Sequence, residues 1–360
     1  MFFGIMKVVR GGYLMYKQWI DLLEKEEKLP EEMWVALLKN RTEEDEAYAA
    51  GKARKIADQI YGKEIYIRGL IEFTNYCKND CYYCGIRRGN VHAERYRLSM
   101  EDILECCAEG YSLGFRTFVL QGGEDPFYTD EKIEEIVRTI QERYPDCAIT
   151  LSIGERERES YRRFFEAGAS RYLLRHETAD EVHYGRLHPK EMSWEHRMQC
   201  LRELKAIGYQ TGCGFMVGSP YQTEEMLAKD FAFIHALHPQ MVGIGPFIPH
   251  QQTPFAKESQ GTLKDTLFCL SLIRIMEKYV LLPATTALAT IDPRGREKGI
   301  LAGANVVMPN LSPKSVRKKY DLYDGKVCTG EEAAECRSCL EQRVASVGYH
   351  TVISRGDYLR

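Results

Sequence analysis

Short apolar runs alternate with amphipathic stretches between residues 65 and 308. The apolar runs are rich in β-branched residues, as buried parallel strands are, and they lie near residues 65–71, 115–121, 147–153, 171–177, 209–217, 240–248, 281–287 and 304–308. Helical spacing of apolar residues predicts helices near residues 100–113, 129–144, 156–167, 194–207, 223–237, 263–279 and 295–302. Eight strands that alternate with helices predict parallel pairing in an α/β fold, a closed (β/α)8 barrel of the TIM type.

The pattern on either side of this region divides the chain further. Residues 16–62 show helical spacing with a break at Leu29-Pro30, which predicts two or three helices that cap one end of the barrel. We therefore predict a disordered tail over residues 1–15, this helical extension over 16–62, the barrel over 63–310 and a cysteine-containing tail over 311–360.

Composition and charge exclude several classes of function. Of the 360 residues, 44% are hydrophobic and 28% are charged, which is typical of a soluble globular protein. The net charge is −3 and the most basic stretch, Lys314–Lys319, is short, so nucleic-acid binding is not expected. No stretch approaches the roughly 18 uninterrupted apolar residues of a membrane span, and no signal-peptide pattern is found. We therefore expect a cytoplasmic protein that does not bind membranes.

Twelve cysteines come as two spaced groups and six singles. The first group, Cys77, Cys81 and Cys84, has C-x3-C-x2-C spacing and follows the first predicted strand. Thiolates on one short loop suit zinc or an iron–sulfur cluster. A structural zinc site normally has four protein ligands in two spaced pairs, whereas the nearest later histidine here is His92, outside such a spacing. A four-iron cluster on three thiolates keeps one iron free for a small molecule, so we favour the cluster; zinc and a merely buried group of thiols are the alternatives.

The second group, Cys328, Cys336 and Cys339, has C-x7-C-x2-C spacing and follows the last predicted strand. Three thiolates without an obvious fourth ligand are consistent with a second iron–sulfur cluster, and a structural zinc site is the alternative. We expect this tail on the outer rim of the barrel mouth. The single cysteines fall mostly in apolar runs, which favours reduced thiols in a reducing compartment.

Polar or glycine-rich motifs follow the predicted strands, at the end where a barrel of this type has its active site. Gly122-Gly123-Glu124 follows the second strand, and Arg175 and Glu177 lie on the fourth. Glycine permits close backbone approach to a cationic amino group, although a Gly-Gly-Glu is more often simply a turn. Alternation places Arg175 and Glu177 on one face, so each charge needs a partner or a ligand if that face is the lumen.

Two further observations concern a ligand. Arg197 lies in the first turn of the helix after the fourth strand, where a bound carboxylate would offset an unfavourable dipole interaction of about 0.3–1 kcal/mol; a solvated surface arginine is the alternative. Glycines share a face of the fifth and sixth strands, which indicates a hollow lumen or close packing against outer helices. They are Gly212 and Gly214 on the fifth strand and Gly243 and Gly245 on the sixth.

The combined motifs resemble those of the radical S-adenosylmethionine (SAM) maturases of [FeFe]-hydrogenase, the HydE type, over about residues 50–345. They are Cys77-x3-Cys81-x2-Cys84, Gly122-Gly-Glu-Asp-Pro126, Arg175-His-Glu-Thr178, Gly243-Ile-Gly-Pro-Phe-Ile-Pro-His250, Pro283-Ala-Thr-Thr286 and the C-x7-C-x2-C tail. Biotin synthase and methylornithine synthase share the barrel and the first motif. Biotin synthase needs a cysteine on the second strand, where Phe115–Gln121 has none, and methylornithine synthase lacks the cysteine-rich tail. These two remain alternatives, and a zinc-stabilised binding protein is the alternative outside the enzymes.

The resemblance implies a [4Fe–4S] cluster on Cys77, Cys81 and Cys84, whose open iron binds SAM, and reductive cleavage of SAM to a 5′-deoxyadenosyl radical. It implies an Fe(CO)2CN–cysteine-type precursor of the hydrogenase diiron subcluster as substrate. The implied partners are the two other maturases and an electron donor such as ferredoxin or flavodoxin. By match to the family, SAM contacts fall on Tyr83, Gly122, Gly123, Glu124, Glu177 and Arg197, and substrate contacts fall on Arg175, Met216, Thr285, Thr286 and Tyr323. A second cluster, [2Fe–2S] or [4Fe–4S], would lie on Cys328, Cys336 and Cys339.

Overall fold

A computed structural model describes residues 12–327 and 336–360, with side chains from residue 15 onward. The helices are α1 Gly12–Glu26, α2 Glu31–Asn40, α3 Glu43–Tyr61, α4 Met100–Ser112, α5 Asp130–Arg143, α6 Arg158–Glu166, α7 Glu181–Leu187, α8 Trp194–Ile207, α9 Glu224–Leu237, α10 Leu263–Met276, α11 Thr286–Ile291, α12 Gly295–Leu301, α13 Lys314–Arg317 and α14 Arg337–Ala345. The strands are β1 Glu64–Ile67, β2 Gly69–Thr74, β3 Thr117–Gly122, β4 Ala148–Ser152, β5 Arg171–Leu173, β6 Gln210–Cys213, β7 Met216–Val217, β8 Met241–Val242, β9 Gly245–Pro246, β10 Val306–Val307 and β11 His350–Val352. Within these ranges, every helix is too short or too polar to cross a membrane.

The N-terminal extension consists of three helices, α1 to α3, as its periodicity predicts. Pro30 separates the first two, and Thr42 begins α3 with a capping box, its hydroxyl accepting from Asp45 N while the Asp45 carboxylate accepts from Thr42 N. The predicted disordered tail over residues 1–15 is partly wrong, because α1 already begins at Gly12. Residues 1–11 lie outside the described part of the chain.

The strands form a closed ring of parallel pairs. Pairing runs in chain order from β2 through β3, β4, β5 and β6 to β8. The seventh position consists of isolated bridges, Met241 to Leu281 and Pro283 to Val306. β10 then pairs with β1 through Tyr66 and Val306, which closes the ring. The predicted closed α/β barrel is confirmed.

Several barrel elements are shorter than predicted. The predicted strand 209–217 divides into β6 and β7 because Gly214 has a φ of +156° there, and a Cβ on it would lie 2.0 Å from Gly243 O. Gly214 thus serves close packing, so the expected lumen role of the fifth-strand glycines is wrong; a Cβ on Gly212 would likewise meet Leu173. The predicted strand 281–287 overlaps α11, which the apolar pattern did not reveal.

The end of the described chain covers the amino end of the barrel. β11, which the sequence pattern did not predict, pairs in parallel with β1. Arg171, on β5, is 0% exposed and donates to Arg355 O at 2.8 Å and to Asp357 Oδ1 at 2.7 Å. A buried barrel cation is therefore neutralised by a residue outside the predicted barrel.

Replacing Asp357 by asparagine should lower the free energy of unfolding by about 1–3 kcal/mol, because buried Arg171 loses its counter-charge. This is less than for a fully buried pair, since the Asp357 side chain is 40% exposed. Burial opposes ionisation of Asp357, but the hydrogen bonds from Arg171 and Gln210 and the charges of Arg171 and Arg355 together outweigh it, so the pKa is lowered. The stabilisation is thus present above the unfolded pKa of about 3.9 and disappears as the pH falls through the lowered folded pKa.

Urea unfolding of wild type and Asp357→Asn at neutral and acidic pH measures this difference. Glu166→Gln is the matched control, because Glu166 pairs with Arg162 on an exposed helix face and its loss should cost less than about 0.5 kcal/mol. Equal destabilisation by the two changes would contradict the account.

Candidate active site

The carboxyl ends of the strands surround a cavity of about 350 Å³. The cavity is lined by the three cysteines of the first loop and by every residue predicted to contact SAM or the substrate. These are Cys77, Cys81, Tyr83, Cys84, Gly122, Gly123, Glu124, Arg175, Glu177, Arg197, Met216, Thr285, Thr286 and Tyr323. The cavity also includes Gly243 and Gly245, so the sixth-strand glycines face the lumen as expected. The structure brings the predicted residues together, while their individual roles remain predictions.

Backbone hydrogen bonds fix the cysteine loop to three different parts of the barrel. Lys78 N donates to Glu124 O at 2.8 Å, Tyr82 N to Leu187 O at 3.0 Å and Gly85 N to Leu322 O at 2.9 Å. Gly85 is required at its position, because a Cβ there would lie 2.1 Å from Asp321 O. The loop is therefore clamped between the second-strand motif below it and residues 321–322 of the tail.

Burial raises the pKa of all three loop thiols, that of Cys84 to about 12. Neighbouring sulfurs add to the effect at Cys81 and Cys84, and the charge of Glu124 adds to it at Cys77. These thiols are thus poor thiolates alone and need a metal to displace their protons. Among the described residues, two groups of three His, Cys, Asp or Glu ligand atoms lie within 4.8 Å of one another, and the loop thiols are in neither group. A zinc–sulfur bond of about 2.3 Å would hold thiolates about 3.8 Å apart. The loop spacing thus suits a cofactor larger than a single ion.

The Gly-Gly-Glu motif lies directly against the cysteine loop. A Cβ on Gly123 would lie 2.2 Å from Tyr76 O and 2.8 Å from Cys77 Cβ. Glu124 is buried, and its Oε1 accepts from Glu155 N at 2.9 Å. Its Oε2 has no hydrogen bond, although Lys78 Nζ lies 3.2 Å away. A carboxylate oxygen with unused hydrogen-bonding capacity is therefore held beside the thiols.

Arg175 and Glu177 both face the cavity as predicted, although β5 ends at Leu173 and the predicted strand 171–177 is therefore shorter than expected. Arg175 Nη2 lies 3.3 Å from Glu177 Oε2, yet neither atom makes a hydrogen bond of acceptable geometry. Glu177 has a φ of +63°, a conformation that costs a non-glycine residue about 1–3 kcal/mol and often occurs at functional sites. His176 points to the opposite side, where it is buried against Asp230 at 3.2 Å. Arg175 and Glu177 therefore attract each other, and each still has an atom that can hydrogen-bond a ligand.

Arg197 is buried, so the alternative of a solvated surface arginine is wrong. Ser193 caps α8 as its position predicts, and its hydroxyl accepts from His196 N. Arg197 Nη1 donates to Arg175 O at 2.6 Å, and Nε pairs with the carboxylate of Glu155. A protein carboxylate therefore already neutralises this arginine, which the sequence reasoning did not foresee.

Two further residues in the cavity were missed. Glu72, on β2, is 0% exposed, and its carboxylate accepts from Asn310 Nδ2 at 2.8 Å and from Lys326 Nζ at 2.5 Å. Glu72 could have been found from the sequence, because it is the one charged residue in an otherwise apolar strand. Nothing local marks Lys326, because it reaches the cavity from the tail.

A third missed residue, His188, positions an aromatic ring of the cysteine loop. Burial lowers the pKa of His188 to about 3, so the imidazole is neutral. Its Nδ1 donates to Tyr184 O at 3.0 Å, which leaves Nε2 to accept the hydroxyl of Tyr83 at 3.1 Å. His188 thus holds Tyr83 against the cavity wall.

The tail cysteines lie elsewhere. Cys336 and Cys339 are paired as a disulfide, with their Cα atoms 5.3 Å apart, and Cys328 lies outside the described residues. Arg337 donates to Leu113 O, just past the end of α4 and near the amino end of the barrel. The expected position on the rim of the mouth is therefore wrong for the two described cysteines.

Comparison with known proteins agrees with this geometry. The Radical SAM superfamily profile matches residues 71–234. The chain is 46% identical over 298 residues to the [FeFe] hydrogenase maturase subunit HydE of Thermotoga maritima, which covers 82% of this chain and 85% of that protein. The chain belongs to the HydE family of radical SAM enzymes.

More distant relatives share the fold of this HydE-family chain. It is 29% identical to 3-methylornithine synthase of Methanosarcina acetivorans, over 80% of this chain and 81% of that one. The crystal structure of a methylornithine synthase superposes with a TM-score of 0.81 at 26% identity, over 92% of this chain and 97% of the other. The higher identity to the Thermotoga protein favours assignment to the HydE family over assignment to the methylornithine synthases.

Membership of the superfamily implies SAM and a [4Fe–4S] cluster, and the residues present fit this pair. Three thiols line the cavity with one buried carboxylate oxygen of Glu124 and one of Glu177 that make no hydrogen bond. The lack of a side chain at Gly123 lets the backbone at Tyr76 and the side chain of Cys77 pack directly against this motif.

Replacing Gly123 by alanine should displace the cysteine loop, because its Cβ would overlap the backbone at Tyr76 and the side chain of Cys77. After anaerobic reconstitution we expect a loss of at least half of the iron at the loop and at least tenfold weaker SAM binding, measured by iron analysis and equilibrium dialysis. Gly51→Ala is the control, since nothing lies within 4 Å of its Cβ and alanine favours the helix by about 0.5–1 kcal/mol. Normal iron content and SAM affinity in Gly123→Ala would contradict the clamp.

Proposed function

We propose that this enzyme generates a 5′-deoxyadenosyl radical from SAM and uses it on an Fe(CO)2CN–cysteine-type precursor during assembly of the [FeFe]-hydrogenase diiron subcluster. The observation that carries the proposal is the meeting of three thiols, two carboxylate oxygens that make no hydrogen bond and a buried arginine in one cavity. The 46% identity to the Thermotoga maturase favours this substrate over those of methylornithine synthase and biotin synthase.

Cys77, Cys81 and Cys84 would hold the [4Fe–4S] cluster, and the Gly122–Glu124 segment would receive the amino group of SAM. When bound, the cluster and SAM supply a one-electron reductive cleavage of the S–C5′ bond that gives methionine and the 5′-deoxyadenosyl radical. Glu177 would accept from the ribose hydroxyls with the oxygen that makes no hydrogen bond. Arg197 would attract the SAM carboxylate, a role it can take while Glu155 still neutralises part of its charge.

The far side of the cavity would bind the organometallic substrate. Arg175 Nε, Arg175 Nη2 and Thr285 Oγ1 are buried without hydrogen bonds, which suits an anionic ligand with several acceptor atoms. Met216, Thr286 and Tyr323 complete this part of the wall. The surrounding protein excludes water, which protects reactive species from solvent.

Once the Cys336–Cys339 disulfide is reduced, these two cysteines and Cys328 would hold a second iron–sulfur cluster. Two of them are adjacent in space and lie toward the amino end of the barrel, so this cluster would serve stability rather than electron delivery to SAM. The reaction would draw electrons from a ferredoxin or flavodoxin, and its product would pass to the two other maturases.

Cys81→Ala should eliminate 5′-deoxyadenosine formation, because the loop would lose a ligand that the cluster needs. Replacing Cys336 and Cys339 together with Cys328 by alanine should lower iron content and stability yet leave substantial SAM cleavage. The measurement is 5′-deoxyadenosine formed by anaerobically reconstituted protein under dithionite.

Cys106→Ala is the control for both, since Cys106 is a buried single cysteine on α4. A folded tail variant as inactive as Cys81→Ala would contradict the separation of the two sites. A zinc-loaded, colourless protein that never cleaves SAM would reject the radical SAM reading altogether.

The maturation step can be tested in a host that carries the three maturases. Deleting the gene for this chain should abolish [FeFe]-hydrogenase activity and leave growth without biotin intact. Wild-type protein should restore the activity and Cys81→Ala should not. Biotin dependence with normal hydrogenase would reject the substrate assignment.

A further inference from the structure

Three possible metal ligands meet at the end of the barrel opposite the cavity. His238 is the C-cap of α9, and Glu277 is the C-cap of α10. Each helix ends just before the next strand position begins, at residues 241 and 281. His235 lies in the last turn of α9, beside them. The three side chains therefore join two helix ends at the amino face of the barrel.

The distances suit a single small ion. Glu277 Oε1 lies 3.3 Å from His238 Nδ1 and 3.7 Å from His235 Nδ1, and all three ligand atoms lie within 4.8 Å of one another. An ion with bonds of about 2.1 Å to nitrogen and oxygen keeps neighbouring ligands about 3.0–3.4 Å apart. The distance from Glu277 to His238 already lies in this range, and a shift of a few tenths of an ångström would bring the distance to His235 into it.

Two of these atoms are buried without a hydrogen bond. They are His235 Nδ1 and Glu277 Oε1, and a buried polar atom without a partner costs about 1–3 kcal/mol. An ion that accepts a lone pair from each of these two atoms would remove that cost.

The backbone of His238 is also unusual. Its φ of +46° and ψ of 61° are left-handed, a conformation in which glycine or asparagine is usual at a helix end. Gly208 occupies the corresponding position after α8, with a φ of +110°. At the end of α9 a histidine takes this conformation instead, and its Nδ1 faces Glu277.

We propose that His235, His238 and Glu277 form a binding site for a divalent transition-metal ion of the zinc type. Two imidazole nitrogens and one carboxylate are ligands that such ions prefer. The His238 side chain is exposed, so water can fill the remaining positions. The ion would join the ends of α9 and α10 and stabilise the amino end of the barrel, and it would take no part in SAM cleavage.

The test is calorimetric titration of Zn²⁺ into the full-length, cluster-loaded protein after removal of bound metal with a chelator. Wild type should bind one more equivalent than His238→Asn, or bind that equivalent at least tenfold more tightly. Asparagine tolerates the left-handed conformation, so this variant keeps the helix end while losing the ligand. Zn²⁺ that binds to cysteine thiols does so equally in wild type and variants, so it does not affect the difference between them.

His350→Asn is the matched control, because His350 is exposed on β11 away from this group, and it should titrate like wild type. Glu277→Gln should lose the same equivalent as His238→Asn. Zn²⁺ should raise the melting temperature of wild type and His350→Asn more than that of the two ligand variants. Equal stoichiometry, affinity and melting shift in all four proteins would overturn the proposal.

Discussion

Closure of the strand ring, through the pairing of β10 with β1, is the constraint on which the rest of the molecule depends. Because all pairs are parallel, every carboxyl end lies on one face once the ring closes. Residues as distant in sequence as Cys77 and Thr285 then line the same cavity. The helices outside the ring fix the order of the strands, and the loops at the mouth carry the chemistry.

The cavity holds more charge than an apolar lumen would. Glu72 and Lys326 form a buried pair, whereas Arg175, whose side chain is 33% exposed, lies beside the largely buried carboxylate of Glu177. Isolated burial of such groups would cost several kcal/mol, so each group depends on its partner. The pairing is incomplete for Arg175 and Glu177, and the strained backbone of Glu177 holds the mismatch in place. Such fixed, partly unsatisfied charge recognises a polar ligand without rearranging to meet it.

Local sequence patterns were sufficient for the ring and for the residues at the mouth. Strand periodicity identified Arg175 and Glu177 as neighbours, and cysteine spacing identified the loop that the tail and Glu124 clamp. Features that depend on distant contacts were not predictable. Lys326 reaches Glu72 across 254 residues of sequence, and β11 adds to β1 without a strong apolar pattern of its own. The break at Gly214 is similar, because the backbone of Gly243 imposes it from another strand.

The tail has a consequence for the order in which the protein is completed. Residues 321–326 cover the cysteine loop and residues 350–357 cover the opposite end, and the ribosome makes both after the entire ring. Contacts of such large sequence separation form late, since the intervening chain must first be ordered. The three thiols of the cysteine loop are therefore made well before residues 321–326, and contacts such as that from Gly85 N to Leu322 O can complete the clamp only afterwards.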